Sequence, residues 1–374
     1  MERTGSYKTH KVGGETYESY VPVVLPVEID LKAIHPALER SMVAIAKLNG
    51  MVHLVPNLSL FLYMYVRKEA VLSSQIEGTQ SSLNDLILFE NGKNFNVDEE
   101  DVASVSNYVK ALTHGANRIK GGFALSLRLM REIHGILLEE TRGKFCLPGE
   151  FRRSQNWVGG TRPGNAFFVP PTPDDMLPAL DNLEKYLHDE SIPVLVRAGV
   201  AHLEFETIHP FLDGNGRIGR LLISLMLHNF KLLDVPILYP SLYFKQNRSE
   251  YYALLNLVRE RGNWEDWLNF FLNGMAFVAN DAISVIGEIN ALFAECERKI
   301  NAVGRGRFSC LAIFERAKRV PQVSSNALGD LKLSQPTVRI ALKTLEVVGI
   351  FKEISGKKRN KTYVFKKYLD ILSS

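Results

Sequence analysis

Two stretches with helical apolar spacing, residues 194–208 and 216–232, are separated by only seven residues, and a proline stands second in the gap. Leu195, Val200, Leu203 and Ile208 on the first, and Ile218, Leu221, Leu222, Leu225 and Met226 on the second, read as two buried helices. Pro210 stops the first helix from running on and favours an extended backbone at His209. So short a bend confines everything it carries to one spot.

The bend and the start of the second helix read His209-Pro210-Phe211-Leu212-Asp213-Gly214-Asn215-Gly216-Arg217-Ile218-Gly219-Arg220. The His209 imidazole can accept a hydroxyl proton near neutral pH. Asp213 is a hard oxygen ligand suited to Mg²⁺, which takes one or two carboxylates and fills its other positions with water and phosphate. Gly214, Asn215 and Gly216 can adopt positive φ and turn successive N–H groups to one point, an anion nest reinforced by the helix amino end. Arg217 and Arg220 lie near one face of that helix, placed for two phosphate contacts. Singly, each feature reads more simply as a structural histidine, a turn or a solvated arginine. Together they are the parts needed to hold a nucleoside triphosphate and move a phosphoryl-linked group onto a hydroxyl.

This run resembles the Fic family signature, His-Pro-Phe-x-Asp/Glu-Gly-Asn-Gly-Arg-x-x-Arg, at every specified position. The resemblance implies a protein adenylyltransferase that moves AMP from ATP to Ser, Thr or Tyr hydroxyls of proteins, itself included. It implies His209 as base, Asp213 on Mg²⁺, Gly214, Asn215, Gly216 and Arg217 on the phosphates, and Arg220 on the γ-phosphate. The implied fold is mainly α, a Fic-type helical core with a small β-hairpin flap, plus a C-terminal winged helix-turn-helix. Some relatives transfer other phosphate-containing groups, so the donor stays open.

Upstream, Ser73 and Glu77 stand i and i+4 on a predicted helix over residues 65–76, with Gly78 placed to end it. An isolated glutamate of this kind is by default a surface carboxylate. The segment resembles the family's inhibitory motif, Ser/Thr-x-x-x-Glu-Gly/Asn, which implies that Glu77 pairs with Arg220 and draws it off the γ-phosphate. The equivalent glutamate in some relatives orients a water that removes AMP from modified protein, and the sequence does not separate the two roles.

Residues 149–173 are rich in Gly, Pro and aromatic residues, with turn signals around short β-capable pieces, and predict a hairpin. The resemblance makes it a flap on which a target segment docks by strand addition, with Asn165, Ala166, Phe167 and Phe168 at its edge. Phe151 and Trp157 are expected to pack on the core. Tyr251 and Tyr252 open another helix, for which Ser249 is an expected N-cap. The resemblance places the pair in the nucleoside pocket; core packing is the equal alternative.

The 374 residues allow two or three domains, and three are expected: a helical region over 1–118 with the inhibitory helix, a catalytic core over 119–297, and a winged helix over 298–374. Residues 1–30 predict an extended arm. Three unclustered cysteines, the lack of an apolar leader and the lack of an uninterrupted twenty-residue apolar run point to a cytoplasmic protein without a membrane partner. Charge is divided: residues 298–374 carry 17 Lys/Arg against 5 Asp/Glu, a balance of +12, while the rest carry 28 against 36, a balance of −8.

In the basic tail, helices are predicted over 309–319, 324–331 and 338–348, then two strands over 351–354 and 361–365 around a basic tip. Such a module can read DNA with Gln335, Thr337, Arg339 and Lys343 and hold phosphates with Lys357, Lys358 and Arg359. A protein-docking or dimerisation module, making a homodimer, fits the same pattern. A DNA-binding regulator with a nucleotide-responsive core and a mainly AMP-removing enzyme are the alternative functions.

Overall fold

The computed structural model describes residues 3–55, 57–90, 97–324, 328, 331–357 and 360–373. The chain divides into two compact units, one of residues 1–46 and 66–280, the other of residues 47–65 and 281–374. The first two helices of the chain are α1 (Leu31–Val52) and α2 (Leu58–Ile76).

The first unit opens with an antiparallel hairpin, β1 (Ser6–Val12) and β2 (Glu15–Val21), in register from Ser6↔Val21 to Val12↔Glu15. Gly13 and Gly14, both at positive φ, make the two-residue turn. The expected extended arm is therefore a hairpin over 6–21, and the Gly-Gly pair between β-capable runs was its signal. The helices that follow are α3 (Leu83–Glu90), α4 (Glu99–Lys120), α5 (Leu127–Leu137), α6 (Pro173–Leu187), α7 (Val194–Ile208), α8 (Asn215–Asn229), α9 (Ser241–Gln246), α10 (Arg248–Arg261) and α11 (Trp264–Asn301). The helix starts follow their local chemistry. Asp98 caps α4 by accepting the Glu100 N–H, and Glu99, Glu100 and Asp101 in its first turn suit its dipole. Ser126 and Thr172 cap α5 and α6 in the same way.

Helix α7 is buried at every position from Leu195 to Ile208, so it is the central helix of the unit. Its nearest partner, α8, is almost as enclosed. Gly199 on α7 lets α11 approach closely, because a Cβ there would press on Leu268 and Phe271 at 2.9 Å. In the same contact the Trp267 indole N–H donates to the Gly199 carbonyl at 2.9 Å. By length and composition α11 is apolar enough to cross a membrane, but 61% of that stretch is buried inside the protein, as in a core helix.

The second unit holds α12 (Arg307–Arg319), β3 (Gln322–Ser324), α13 (Gln335–Val347), β4 (Lys352–Glu353), β5 (Thr362–Val364) and α14 (Lys366–Ser373). The three short strands form an antiparallel sheet in the order β3-β5-β4. Ser334 caps α13, accepting the Thr337 N–H at 3.3 Å, and Gly349 at φ +73° follows its end. Phe293, Phe314, Phe365 and Tyr368 meet ring to ring in the core of this unit. The helix expected over 324–331 falls mostly outside the described residues, and Ser324 ends a strand.

Trp267→Ala removes a fully buried side chain at the α7–α11 contact, and with it the second hydrogen bond to the Gly199 carbonyl. It is expected to cost about 3–5 kcal/mol of unfolding free energy in a denaturant titration; a loss under about 1 kcal/mol would contradict this packing.

Candidate active site

Six residues, His209 to Gly214, connect α7 to α8, and they form almost no regular structure of their own. His209 ends α7 in the left-handed conformation, φ 50° and ψ 59°, with its N–H on the Phe205 carbonyl at 2.9 Å. The extended backbone expected before Pro210 is not found, because closing the helix takes precedence there. The conformation is held by what its carbonyl accepts: Arg152 Nε at 3.0 Å and Asn156 Nδ2 at 3.3 Å. Arg152 is itself buried and also donates to the carbonyls of Ser154, Pro171 and Ile208, tying residues 152–171 to the bend.

Two further side chains fix the bend. Asn215 clamps Phe211, accepting its N–H and donating to its carbonyl, both at 2.8 Å. His134 accepts the Gly149 N–H at Nδ1 and bonds the Asp213 carbonyl through Nε2 at 3.1 Å, so the proton sits on Nε2. Its ring stacks on Phe211 at 3.7 Å. Burial lowers its pKa to about 4, which keeps this role neutral.

The expected nest of three residues is a helix amino end preceded by one left-handed glycine. Gly214 has φ +77°, and Asn215 and Gly216 are already helical. Asn215 uses its side chain on the bend. Gly216 is required for room, since a Cβ there would collide with the Glu77 carboxylate. Asp213 is exposed; its Oδ1 accepts the Gly214 N–H at 2.6 Å and its Oδ2 lies 3.5 Å from Arg217. Arg217 also donates to Ser104 Oγ at 2.6 Å. Asp213 and Arg217 line a cleft of about 310 Å³ with Glu77, Thr79, Asp101 and Ser104.

Arg220, fully buried, donates Nε to Ser73 Oγ at 2.9 Å and Nη2 to both the Ser73 carbonyl at 3.0 Å and Glu77 Oε1 at 2.7 Å. Helix α2 ends at Ile76, and Gly78 at φ +104° turns the chain away beyond Glu77. Burial disfavours charge on both partners, but the pairing outweighs it. The Glu77 carboxyl is held below its ordinary value by Arg220, with help from Arg217, and Arg220 is pushed further up.

His209 is half-buried, with Nδ1 3.3 Å from the Glu206 carbonyl, leaving Nε2 as the free nitrogen. Burial lowers its pKa to about 4, and the charges of Arg259 and Arg152 add to this. The imidazole is therefore neutral, the form a proton acceptor needs.

Between α5 and α6, residues 158 and 168 make a single antiparallel bridge around a 3₁₀ turn at Pro163–Asn165. Asn165 shapes that turn, its Oδ1 accepting the Thr161 and Arg162 N–H groups. Phe167 is 88% exposed, whereas Phe168 is buried under the Arg259 guanidinium at 3.8 Å. Phe151 packs on Phe211 as expected, but Trp157 is 38% exposed and is no core residue. The hairpin β1–β2 braces this flap: Tyr20 N–H donates to the Val169 carbonyl and the Gly164 N–H donates to Glu15, both at 2.9 Å. Of the tandem tyrosines, Tyr251 is core, its hydroxyl 2.9 Å from His202 Nε2 and its ring stacked on Phe244, while Tyr252 is partly exposed. Asn247, not Ser249, stands before α10, behind the unforeseen helix α9.

The model of the Fic/DOC family N-terminal region matches residues 35–117, and that of the Fic/DOC family matches residues 124–227. The chain belongs to the Fic family. Over 115 residues, 30% of this chain, it is 39% identical to the "Protein adenylyltransferase Fic" of Drosophila erecta and to that of Drosophila ananassae. Those 115 residues are 21% and 20% of the two relatives, so the chain spans about a fifth of the curated relatives it matches. A Fic family protein from Desulfovibrio desulfuricans has the same fold, with a TM-score of 0.59 at 22% identity, covering 91% of this chain and 97% of that one. Fic-1 from C. elegans superposes with a TM-score of 0.54 at 21% identity, covering 69% of this chain and 74% of that one.

Arg152, Asn156 and His134 escaped the sequence reading because they lie outside the motif and act on backbone carbonyls of the bend.

The His209 ring signals in NMR are expected to stay at neutral-imidazole positions from pH 8 down to about pH 5, since a folded pKa near 4 leaves the ring unprotonated across that range. A midpoint near 6.5 would place the ring in solvent instead.

Proposed function

We propose that this chain is an autoinhibited protein adenylyltransferase. The observation that carries the reading is the convergence of a neutral His209, the amino end of α8 and Arg220 on one spot, with Glu77 already paired to Arg220. The chemistry is an in-line displacement. A target hydroxyl gives its proton to His209 Nε2, its oxygen bonds the α-phosphorus of ATP, and the bond from that phosphorus to the β-bridging oxygen breaks, releasing pyrophosphate. The chain's contribution is positioning and fixed positive potential: the N–H groups at the start of α8, Arg217 and Arg220 face the phosphates.

A Mg²⁺ ion fits this site only together with the nucleotide. Among the described residues no group of three His, Cys, Asp or Glu could hold a metal alone. Asp213 is an exposed single carboxylate beside the phosphate-binding helix end, the arrangement in which Mg²⁺ shares a carboxylate with phosphate and water. Bound there, the ion would neutralise phosphate charge.

Glu77 supports a brake in two ways. It occupies the second motif arginine, and its carboxylate lies against Gly216, so an anion already sits where phosphate would approach. The target segment docks on the flap, where Phe167 is presented to solvent. With ATP labelled on the α-phosphate, His209→Ala is expected to abolish protein labelling and Glu77→Gly to raise self-labelling at least about tenfold, the effect of losing roughly 1.4 kcal/mol of inhibitory contact. Undiminished labelling in the first removes His209 from the mechanism, and equal labelling in the second removes the brake.

The C-terminal unit supports a second, compatible reading as a winged helix that binds DNA. The helix–strand–helix–strand–strand order of α12 to β5 and the balance of +12 over residues 298–374 favour it. On α13, Gln335, Arg339 and Lys343 are exposed, while the Thr337 hydroxyl bonds Ser334 in the cap. Lys357 is exposed; Lys358 and Arg359 lie outside the described residues. The full chain is expected to shift duplex DNA in a salt-dependent way, and Lys357→Ala to lower the salt slope by about 1. No shift even at low salt would leave protein docking as the role of this unit.

A further inference from the structure

Arg217 is buried, yet only one of its donors is firmly met. Nη1 donates to Ser104 Oγ at 2.6 Å. Nη2 lies 3.5 Å from Asp213 Oδ2, the outer limit of a hydrogen bond, and Nε is enclosed without a partner among the described residues. The Asp213 side chain is 49% exposed and is the carboxylate read above as a metal ligand, so it gives Arg217 no fixed hold. Ser104 is the opposite kind of partner. It is buried on α4, where that helix packs on α8, and among the described residues its hydroxyl bonds Arg217 alone.

The two arginines of the motif are thus held by different chemistry. Arg220 meets a carboxylate at 2.7 Å, which offsets its charge. Arg217 meets a hydroxyl, which fixes its direction and adds no charge. A carboxylate in place of Ser104 would offset the guanidinium and compete with phosphate for its remaining donors. A methyl group there would leave a long side chain free to turn, and a ligand would then have to immobilise it at an entropic cost. A neutral acceptor avoids both, because the guanidinium is located in advance with its charge intact. Ser104 and Arg217 line the same cleft as Asp213, beside the amino end of α8, where a located positive charge serves an incoming anion.

We propose that Ser104 is a positioning residue: its hydroxyl aims the Arg217 guanidinium at the phosphates of the bound nucleoside triphosphate and leaves its charge uncompensated. The inference rests on the nucleotide-site reading above.

The test uses the full chain carrying Glu77→Gly, so that the brake does not mask binding, and two measurements. Nitrogen NMR relaxation of the Arg217 Nε–H group, assigned with Arg217→Lys, reports how rigid that side chain is without nucleotide. Adding Ser104→Ala is expected to lower its order parameter to below about 0.6 and to leave that of Arg220 unchanged. Alanine is a stronger helix former than serine, so α4 is expected to persist in the variant. Calorimetry is expected to show Mg–ATP bound about tenfold more weakly by Ser104→Ala, and within about threefold of the parent by Ser104→Thr, which keeps the hydroxyl. An Arg217 that stays rigid without the hydroxyl overturns the proposal, as does a loosened Arg217 that binds ATP undiminished. Threonine as weak as alanine, or loosening of Arg220 as well, makes the role of Ser104 one of packing and overturns it too. A Glu77→Gly parent that binds no Mg–ATP overturns the nucleotide-site reading, and the proposal with it.

Discussion

The site depends on a bend that cannot hold itself. Between Ile208 and Asn215 the backbone satisfies few of its own polar groups, and buried side chains supply the rest. Arg152 and Asn156 take the His209 carbonyl, Asn215 clamps Phe211, and His134 takes the Asp213 carbonyl. Unmet buried backbone groups are expensive, so each of these contacts costs more to lose than a surface hydrogen bond. The same contacts decide where the chemistry stands. They set the left-handed His209 that turns its free nitrogen outward, and they leave Asp213 exposed beside the amino end of α8.

Around this frame lies a dense group of charges, Arg220, Glu206, Glu204 and Arg259 buried and Glu77 at the surface beside them. Burying ions without close partners costs stability, and the pKa directions record how the cost is spread. Arg220 and Glu77, in direct contact, each favour the charged form. Glu204 and Glu206, without such contact, are raised to about 8 and about 7, and Arg259 is lowered to about 10 by burial. One pair is therefore in direct contact, while Arg259 is held by the neutral partners Thr207, Asn256 and the Phe168 ring. Glu69, on α2 a turn before Ser73, belongs to the same economy: it receives Tyr108 and Ser241 while burial raises it to about 7, and it anchors α2 where Ser73 meets Arg220.

Much of this was legible in the sequence because it was periodic or contiguous. The ends of α7 followed from apolar spacing and Pro210, and the Ser334 cap of α13 followed from residue type. The Glu77–Arg220 pair was reachable because two motifs specified its ends. What stayed hidden depended on tertiary choices. Nothing local told Tyr251 from Tyr252, and the outcome turned on which ring met Phe244. Pro210 argued for an extended His209, yet the helix end demanded a left-handed one, so a preference was overridden by a requirement. The N-terminal hairpin was missed because its polar strands lack a strong alternating pattern, although Gly13-Gly14 marked the turn.

The glycines of the motif carry the last step. A reading from composition makes Gly214 and Gly216 equivalent, two flexible residues in an anion nest. The structure gives each glycine of the run a different duty. Gly214 supplies a positive φ that no β-carbon tolerates well, and so starts α8 at the right angle. Gly216 and Gly219 are helical and need no special φ; they are small because carboxylates from elsewhere press on their Cα atoms, Glu77 on the first and Glu206 on the second. Spaced three apart, they lie near one face of α8. That face is therefore shaped to receive oxygen atoms at two points, one taken by Glu77 just beyond α2 and the other by Glu206 of α7.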